Sequence, residues 1–225
     1  MLKIQTLRFN DNYVYVITLS GRSVVVDPSD AGIVLRYIED NDLELIAVLN
    51  THGHYDHICG NETLKKTTGC EIIINDYRVS AEVFFQCILT PGHTKDSRCF
   101  YLHPFEGFSG AVFTGDTLFY GGCGRILDGT VEQMWSSFIK LAALPDETLI
   151  YCGHDYTQEN YAFSASVVPE IFSGYEPYFP STIGKEKQEN IFMNCDNPRL
   201  KDMLSMHDWL PSDVFAYLRC KKDNF

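Results

Sequence analysis

Between Thr51 and His57 the chain reads Thr-His-Gly-His-Tyr-Asp-His, so four possible metal ligands crowd into six residues. On an extended segment side chains alternate with period two, which sends His52 and His54 to the same side. A turn into a helix after them lets Asp56 and His57 face back toward the same space. Imidazoles with one carboxylate are the donor set a borderline transition metal prefers. One such run can hold a metal but cannot complete two coordination shells. Further donors follow later apolar runs: His93 in Thr90-Pro91-Gly92-His93-Thr94, Asp116 in Thr114-Gly115-Asp116-Thr117, and His154 in Cys152-Gly153-His154-Asp155. Each is preceded by a glycine, which permits a sharp turn. His103 and His207 stand outside any such pattern and read as ordinary polar residues.

Short β-type runs separated by turn residues must position these donors. Tyr13–Leu19 and Ser23–Val26 flank Ser20-Gly21-Arg22 and predict a hairpin. Asp30 is placed to cap a helix whose apolar positions Val34, Tyr37 and Ile38 have helical spacing. Ile46–Asn50 reads as the strand that delivers the histidine run. Further strands are expected at Glu71–Asn75, Phe84–Leu89, Arg98–Leu102, Ala111–Thr114 and Thr148–Cys152. Thr130 and Gln133 form a capping box, ahead of a buried stripe of Val131, Met134, Trp135, Phe138 and Ile139. After about residue 156 the strand signals fade, and helical segments are expected at roughly 157–168, 198–208 and 211–221. Pro169 closes the first, while Asn197-Pro198 and Ser212 open the others. The reading is a strand-rich α/β domain over 1-156 and a short helical C-terminal domain over 157-225. Donors carried by four strand ends would converge on one edge of a sheet, where α/β architectures place their sites.

In this order, Thr-His-x-His-x-Asp-His, Pro-Gly-His-Thr, Thr-Gly-Asp and Gly-His resemble the metallo-β-lactamase superfamily of metal-dependent hydrolases, over residues 10–160. The resemblance implies an α/β fold, an αββα sandwich. Carried over residue by residue, it implies that His52, His54 and His93 hold one metal and that Asp56, His57 and His154 hold a second, with Asp116 bridging the two. The implied cofactor is a pair of divalent ions, zinc first, with iron or manganese alternatives set by availability. Two such ions carry four positive charges, of which Asp56, Asp116 and a bridging hydroxide cancel three. The remaining charge matches the one oxyanion formed when hydroxide adds to a carbonyl. Metal binding lowers the pKa of water from about 15.7 to about 7, so no serine or cysteine nucleophile is needed. Asp56 could serve as ligand alone or also orient the hydroxide. No positioned general acid is evident beyond the metal site. That permits a thioester, because a thiolate of pKa about 8.5 leaves without protonation.

Two stretches narrow the family. Phe119-Tyr120-Gly121-Gly122-Cys123-Gly124-Arg125, followed by Asp128-Gly129-Thr130, is similar to the glyoxalase II signature, and the tail Leu218-Arg219-Cys220-Lys221-Lys222-Asp223-Asn224-Phe225 resembles the basic end of that family. Pro180-Ser181-Thr182 is a weaker match. The resemblance implies hydrolysis of S-lactoylglutathione and similar 2-hydroxyacylglutathione thioesters, with Arg125, Arg219 and Lys222 holding the glycine carboxylate and Tyr156 lining the thiol pocket. Two departures stand out: Leu127 occupies a position that is usually aromatic in the family, and the stretch from Ile74 to Thr90 is shorter than usual. Alternative readings are a mononuclear-iron persulfide dioxygenase of the same fold, using His52, His54, His93 and Asp116, and a metal-dependent nuclease-type relative.

The net charge of −12 disfavours a nucleic-acid partner, which needs a basic face. It would also repel a glutathione conjugate unless basic side chains gather locally. Eight cysteines show no Cys-x-x-Cys pair, and Met1-Leu2-Lys3-Ile4-Gln5 carries no apolar signal segment. Free thiols in a reducing cytoplasm are the expectation. No apolar run approaches the roughly 20 residues of a membrane span.

Overall fold

In the strand Asn12–Leu19, Val14 and Val16 point to one face and Tyr15 and Ile17 to the other, and all four are buried. A strand apolar on both faces must be covered on both. The computed structural model, which describes residues 2–172 and 179–225, shows how that is done. Val14 and Val16 pack with Val34 and Ile38 of the helix Ala31–Asp40 and with Leu64 of the helix Asn61–Thr68. Tyr15 and Ile17 meet a second sheet through Phe85, Phe100, Phe113 and Tyr151.

The first sheet holds Lys3–Phe9, Asn12–Leu19, Arg22–Val26, Glu44–Leu49 and Glu71–Ile73 in sequential order, antiparallel at the first two pairings and parallel at the last two. The second holds Leu149–Cys152, Ala111–Gly115, Arg98–Leu102, Phe84–Leu89 and Tyr77–Arg78 in that order. Only its first pairing is parallel. The outer face of the second sheet is covered by the helix Val131–Ala142 and by the C-terminal helices, through Phe138, Phe163, Phe192 and Phe215. Helix, sheet, sheet and helix therefore stack as the expected αββα sandwich.

Caps start the helices where the sequence places them. The Asp30 carboxylate accepts from Ile33 N at 2.9 Å, and Thr130 and Gln133 close a reciprocal capping box. The buried stripe of Val131–Ala142 differs in part from expectation: Met134, Ser137, Phe138 and Leu141 are buried, whereas Ile139 is 52% exposed. At about 100° per residue, position 139 turns out of the face defined by 134, 138 and 141. Ser212 does not open the last helix. Pro211 is its first residue, with Leu210 ahead of it. Elements not anticipated include the strand Lys3–Phe9 and the helices Asn61–Thr68 and Ile183–Glu189. Among the described residues the helices from Thr157 onward close no core of their own. Phe163, Ile183, Phe192, Leu200, Phe215 and Leu218 join one cluster with Val112, Phe138 and Ile150. All eight cysteines are free.

Candidate metal centre and substrate cleft

The histidine run leaves the strand Glu44–Leu49 as an extended segment through His54, then turns into the short helix Tyr55–Ile58. His93 follows Phe84–Leu89, Asp116 follows Ala111–Gly115, and His154 follows Leu149–Cys152. All seven predicted donors meet at one end of the two sheets. His54 Nδ1 lies 3.0 Å from His52 Nε2 and 3.1 Å from His93 Nε2. His57 Nε2 lies 3.2 Å from His154 Nε2, with Asp56 Oδ2 3.7 and 3.4 Å from them. Asp116 stands between the groups, with Oδ2 3.5 Å from His93 Nε2 and 3.4 Å from His154 Nε2, and Oδ1 3.4 Å from His57 Nε2. Glycine is required for this approach, since a Cβ at Gly153 would collide with Asp116 Oδ1 and one at Gly124 with the Asp116 carbonyl.

The outer ring nitrogens decide what the inner ones offer. His93 Nδ1 donates to the Arg125 carbonyl at 2.8 Å, which leaves a lone pair on Nε2. The Thr51 hydroxyl donates to Asp27 Oδ2, so its oxygen receives His52 Nδ1–H at 3.1 Å, and His52 Nε2 also carries a lone pair. Both lone pairs point at His54 Nδ1, and a single hydrogen there cannot serve both. Asp116 Oδ1 is buried with no hydrogen-bond partner. Converging lone pairs beside an orphaned carboxylate oxygen fit a divalent cation.

The electrostatics agree. Burial lowers His52 to about 4 and lowers His93 as well, so both stay neutral and keep a lone pair to offer a metal. Burial would raise the Asp116 carboxyl, yet the charge of His57 and the hydrogen bond from His154 outweigh it and hold the group well below the usual carboxylate range. Burial would likewise lower His57, but the charges of Asp116 and Asp27 raise it to about 9. The pocket therefore stabilises positive charge where a metal would replace that proton.

From His93 and Asp116 a cleft of ≈ 740 Å³ runs to Lys222 and Phe225, past Phe119, Leu127 and Tyr156. Tyr156 stacks on His154 with ring centroids 5.1 Å apart, and its hydroxyl donates to Asp11 at 3.3 Å. Lys222 lies over the Phe163 ring at 5.7 Å, and burial lowers its pKa to about 8. Arg125 is exposed and faces Asp223 at 3.7 Å. Arg219 also lines the cleft. It is buried, and its guanidinium donates to the Cys123 carbonyl at 2.7 Å, the Gly124 carbonyl at 3.4 Å and Asp223 at 3.0 Å. Its two terminal nitrogens thus brace the wall of the cleft that it lines, while its buried Nε has no hydrogen-bond partner.

Several contributors escaped the sequence reading. Asp27, buried, accepts from Thr51 N at 2.8 Å and faces His57 Nδ1 at 3.0 Å. Its place directly after a strand, like the donors themselves, was the available signal. Asn12 Nδ2 donates to Asp56 Oδ2 at 3.2 Å. The wholly buried Glu186 accepts from Gly121 N at 2.8 Å and Asn190 at 2.9 Å, and Asn190 donates to the Gly122 carbonyl at 3.0 Å. These hold the loop that carries Cys123 and Arg125, and nothing in the local sequence marks them. His103 stacks on Phe84 and His207 pairs with Asp202, both away from the centre.

Comparison with known proteins agrees with this architecture. The family model described as "Metallo-beta-lactamase superfamily" matches residues 7–82 and 81–154. The solved structure of ETHE1 from Myxococcus xanthus superposes with a TM-score of 0.67 at 25% identity, covering 97% of this chain and 99% of that one. The chain belongs to the metallo-β-lactamase superfamily. A second model, "Hydroxyacylglutathione hydrolase C-terminus", matches residues 173–225. The hydroxyacylglutathione hydrolase of Enterobacter sp. (strain 638) is 37% identical, over 96% of this chain and 97% of that protein. That of Pelagibacter ubique is 36% identical over the full length of both. Within the superfamily, the chain belongs to the hydroxyacylglutathione hydrolases, which are thioester hydrolases. No helix among the described residues is long and apolar enough to cross a membrane.

Proposed function

We propose that the chain hydrolyses S-lactoylglutathione and similar 2-hydroxyacylglutathione thioesters to glutathione and the hydroxy acid. The observation that carries this reading is a single cleft with converging imidazole and carboxylate donors at one end and the Lys222 ammonium at the other. His52, His54 and His93 would hold one divalent ion and Asp56, His57 and His154 a second, with Asp116 between them. Zinc is the proposed metal, since His and carboxylate donors suit it. The bound pair supplies a strong nucleophile from water at neutral pH and positive charge against the developing oxyanion.

The chain's own residues do the remaining work. Burial would raise the Asp56 carboxyl, but the Asn12 amide and the charge of His57 outweigh it, so Asp56 stays ionised and able to orient the attacking water. Tyr156 forms the wall beside His154. Lys222 holds the glycine carboxylate, with Arg125 adding longer-range attraction, and Arg219 braces the wall beneath them. The glutathione thiolate leaves without a general acid. Residues 1-156 would then be the catalytic domain and 157-225 the substrate-binding part. Free thiols support a cytoplasmic location, and a net charge of −12 speaks against a nucleic-acid partner.

Persulfide oxidation on one iron would use only His52, His54, His93 and Asp116. The second donor group, Asp56, His57 and His154, favours hydrolysis. The test is loss of thioester absorbance with lactoylglutathione, run beside oxygen uptake with glutathione persulfide. Thioester loss is expected. Oxygen uptake without hydrolysis would overturn the proposal.

A further inference from the structure

The cleft is less uniformly basic than the sequence suggests. Of its three cations, Arg219 is hydrogen-bonded to Asp223 and Arg125 faces the same carboxylate, so Asp223 is already engaged. A different acid, Glu159, lines the cleft itself. It is exposed, and its carboxylate makes no hydrogen bond or ion pair among the described residues. Lys222 lines the same cleft and feels the Glu159 charge, yet the two do not close into an ion pair within 4.0 Å. An unpaired carboxylate and an unpaired ammonium in one cleft form a dipolar receptor. They complement a ligand that bears both a carboxylate and an ammonium, whereas a purely anionic ligand would be repelled by Glu159.

We propose that Glu159 is a specificity-determining residue that receives the ammonium group of the thiol carrier while Lys222 takes a carboxylate. This rests on the hydrolase reading above, in which the carrier is glutathione, a peptide with one free ammonium. Glu159 also sits in the first turn of the helix Thr157–Val167, where a negative charge is favoured by the helix dipole whatever the ligand. That role affects helix stability and cannot distinguish two carriers differing only in the ammonium, so a carrier comparison separates the two.

The experiment pairs two substrates with two proteins. The substrates are the lactoyl thioester of glutathione and that of glutaryl-cysteinyl-glycine, which lacks only the α-ammonium. The proteins are the wild-type holoenzyme and Glu159→Gln. The wild type should prefer the ammonium-bearing substrate by about three- to tenfold in kcat/KM, expressed mainly in KM, since a solvent-accessible ion pair is a modest interaction. Glu159→Gln should treat the two alike. Equal use of both substrates by the wild type, or a preference that persists in Glu159→Gln, would overturn the proposal. Calorimetric titration with the two free thiols reads the same discrimination without turnover. If neither thioester is cleaved but the wild type still binds glutathione more tightly, the hydrolase reading fails and the ammonium subsite stands. Equal thiol binding would remove the subsite whatever the turnover.

Discussion

Replacing Arg219 by alanine should damage the fold, whereas replacing Lys222, three residues on, should damage only binding. Arg219 is 4% exposed, and its removal strips the Cys123 and Gly124 carbonyls of their charged donor and frees Asp223. A hydrogen bond to a charged group contributes about 1.5–3 kcal/mol, and partial relaxation of the loop recovers some of that, so a loss of about 2–4 kcal/mol is expected. For a chain of this size the melting temperature should fall by about 5–15 °C. Arg219→Lys should not restore it, because a point charge cannot span two carbonyls and a carboxylate as the planar guanidinium does. Lys222 has no such partners among the described residues. Its alanine variant should melt near the wild type and raise KM by about tenfold or more with little change in kcat, the mark of lost uniform binding. The pH dependence gives the sign. The folded-state pKa of Lys222, about 8, lies below the usual 10.5, so in between the unfolded chain binds the proton more tightly. The stability penalty of burying this ammonium is complete below about pH 8 and fades as pH rises to 10.5. Affinity for a carboxylate moves the other way, so wild-type KM should climb above about pH 8, and the climb should vanish in Lys222→Ala. Thermal melts and kinetics across pH check both. If Arg219→Ala keeps the wild-type melting temperature and loses only affinity, the bracing role assigned to it is wrong.

Asp116→Ala removes the carboxylate placed between the two donor groups, and should lower bound metal, measured by elemental analysis, and nearly abolish thioester hydrolysis. Full activity in that variant, or in a chelated sample, would contradict a two-metal mechanism. Asp27→Ala should release His57 and Thr51 from their common anchor and weaken metal affinity by about 10- to 100-fold in a competitive chelator titration, with the cleft intact. Leu127 lines the cleft at 59% exposure, so Leu127→Tyr should add one hydrogen bond to the carrier. The gain expected is a few-fold in kcat/KM for lactoylglutathione, about 0.5–1.5 kcal/mol. No gain with any glutathione thioester would mean that the ring does not reach the carrier.

The donor set was legible in the linear sequence because ligand chemistry belongs to side-chain identity, and close spacing needs only local geometry. His52 and His54 share a side by strand alternation, and the short helix at Tyr55 turns His57 inward. Caps and strands were legible for the same reason: Asp30, Thr130 and the alternation in Asn12–Leu19 act over a few residues. Partnerships across long separations were decided by tertiary packing. Asp27 reaches His57, 30 positions away, because the strands Arg22–Val26 and Glu44–Leu49 pair in parallel and end together. For Arg219 the resemblance of the tail implies a substrate contact. Packing of its helix against Phe192 buries it under the Cys123 loop and gives it carbonyl partners 95 and 96 residues distant. Glu159 carries no motif at all, and its proposed role arises only because the fold sets it in the same cleft as Lys222. Composition and spacing thus determined which chemistry the chain can perform. Which charges remain unpaired for a substrate depends on burial and on neighbours brought close by folding, and only the tertiary structure decides that.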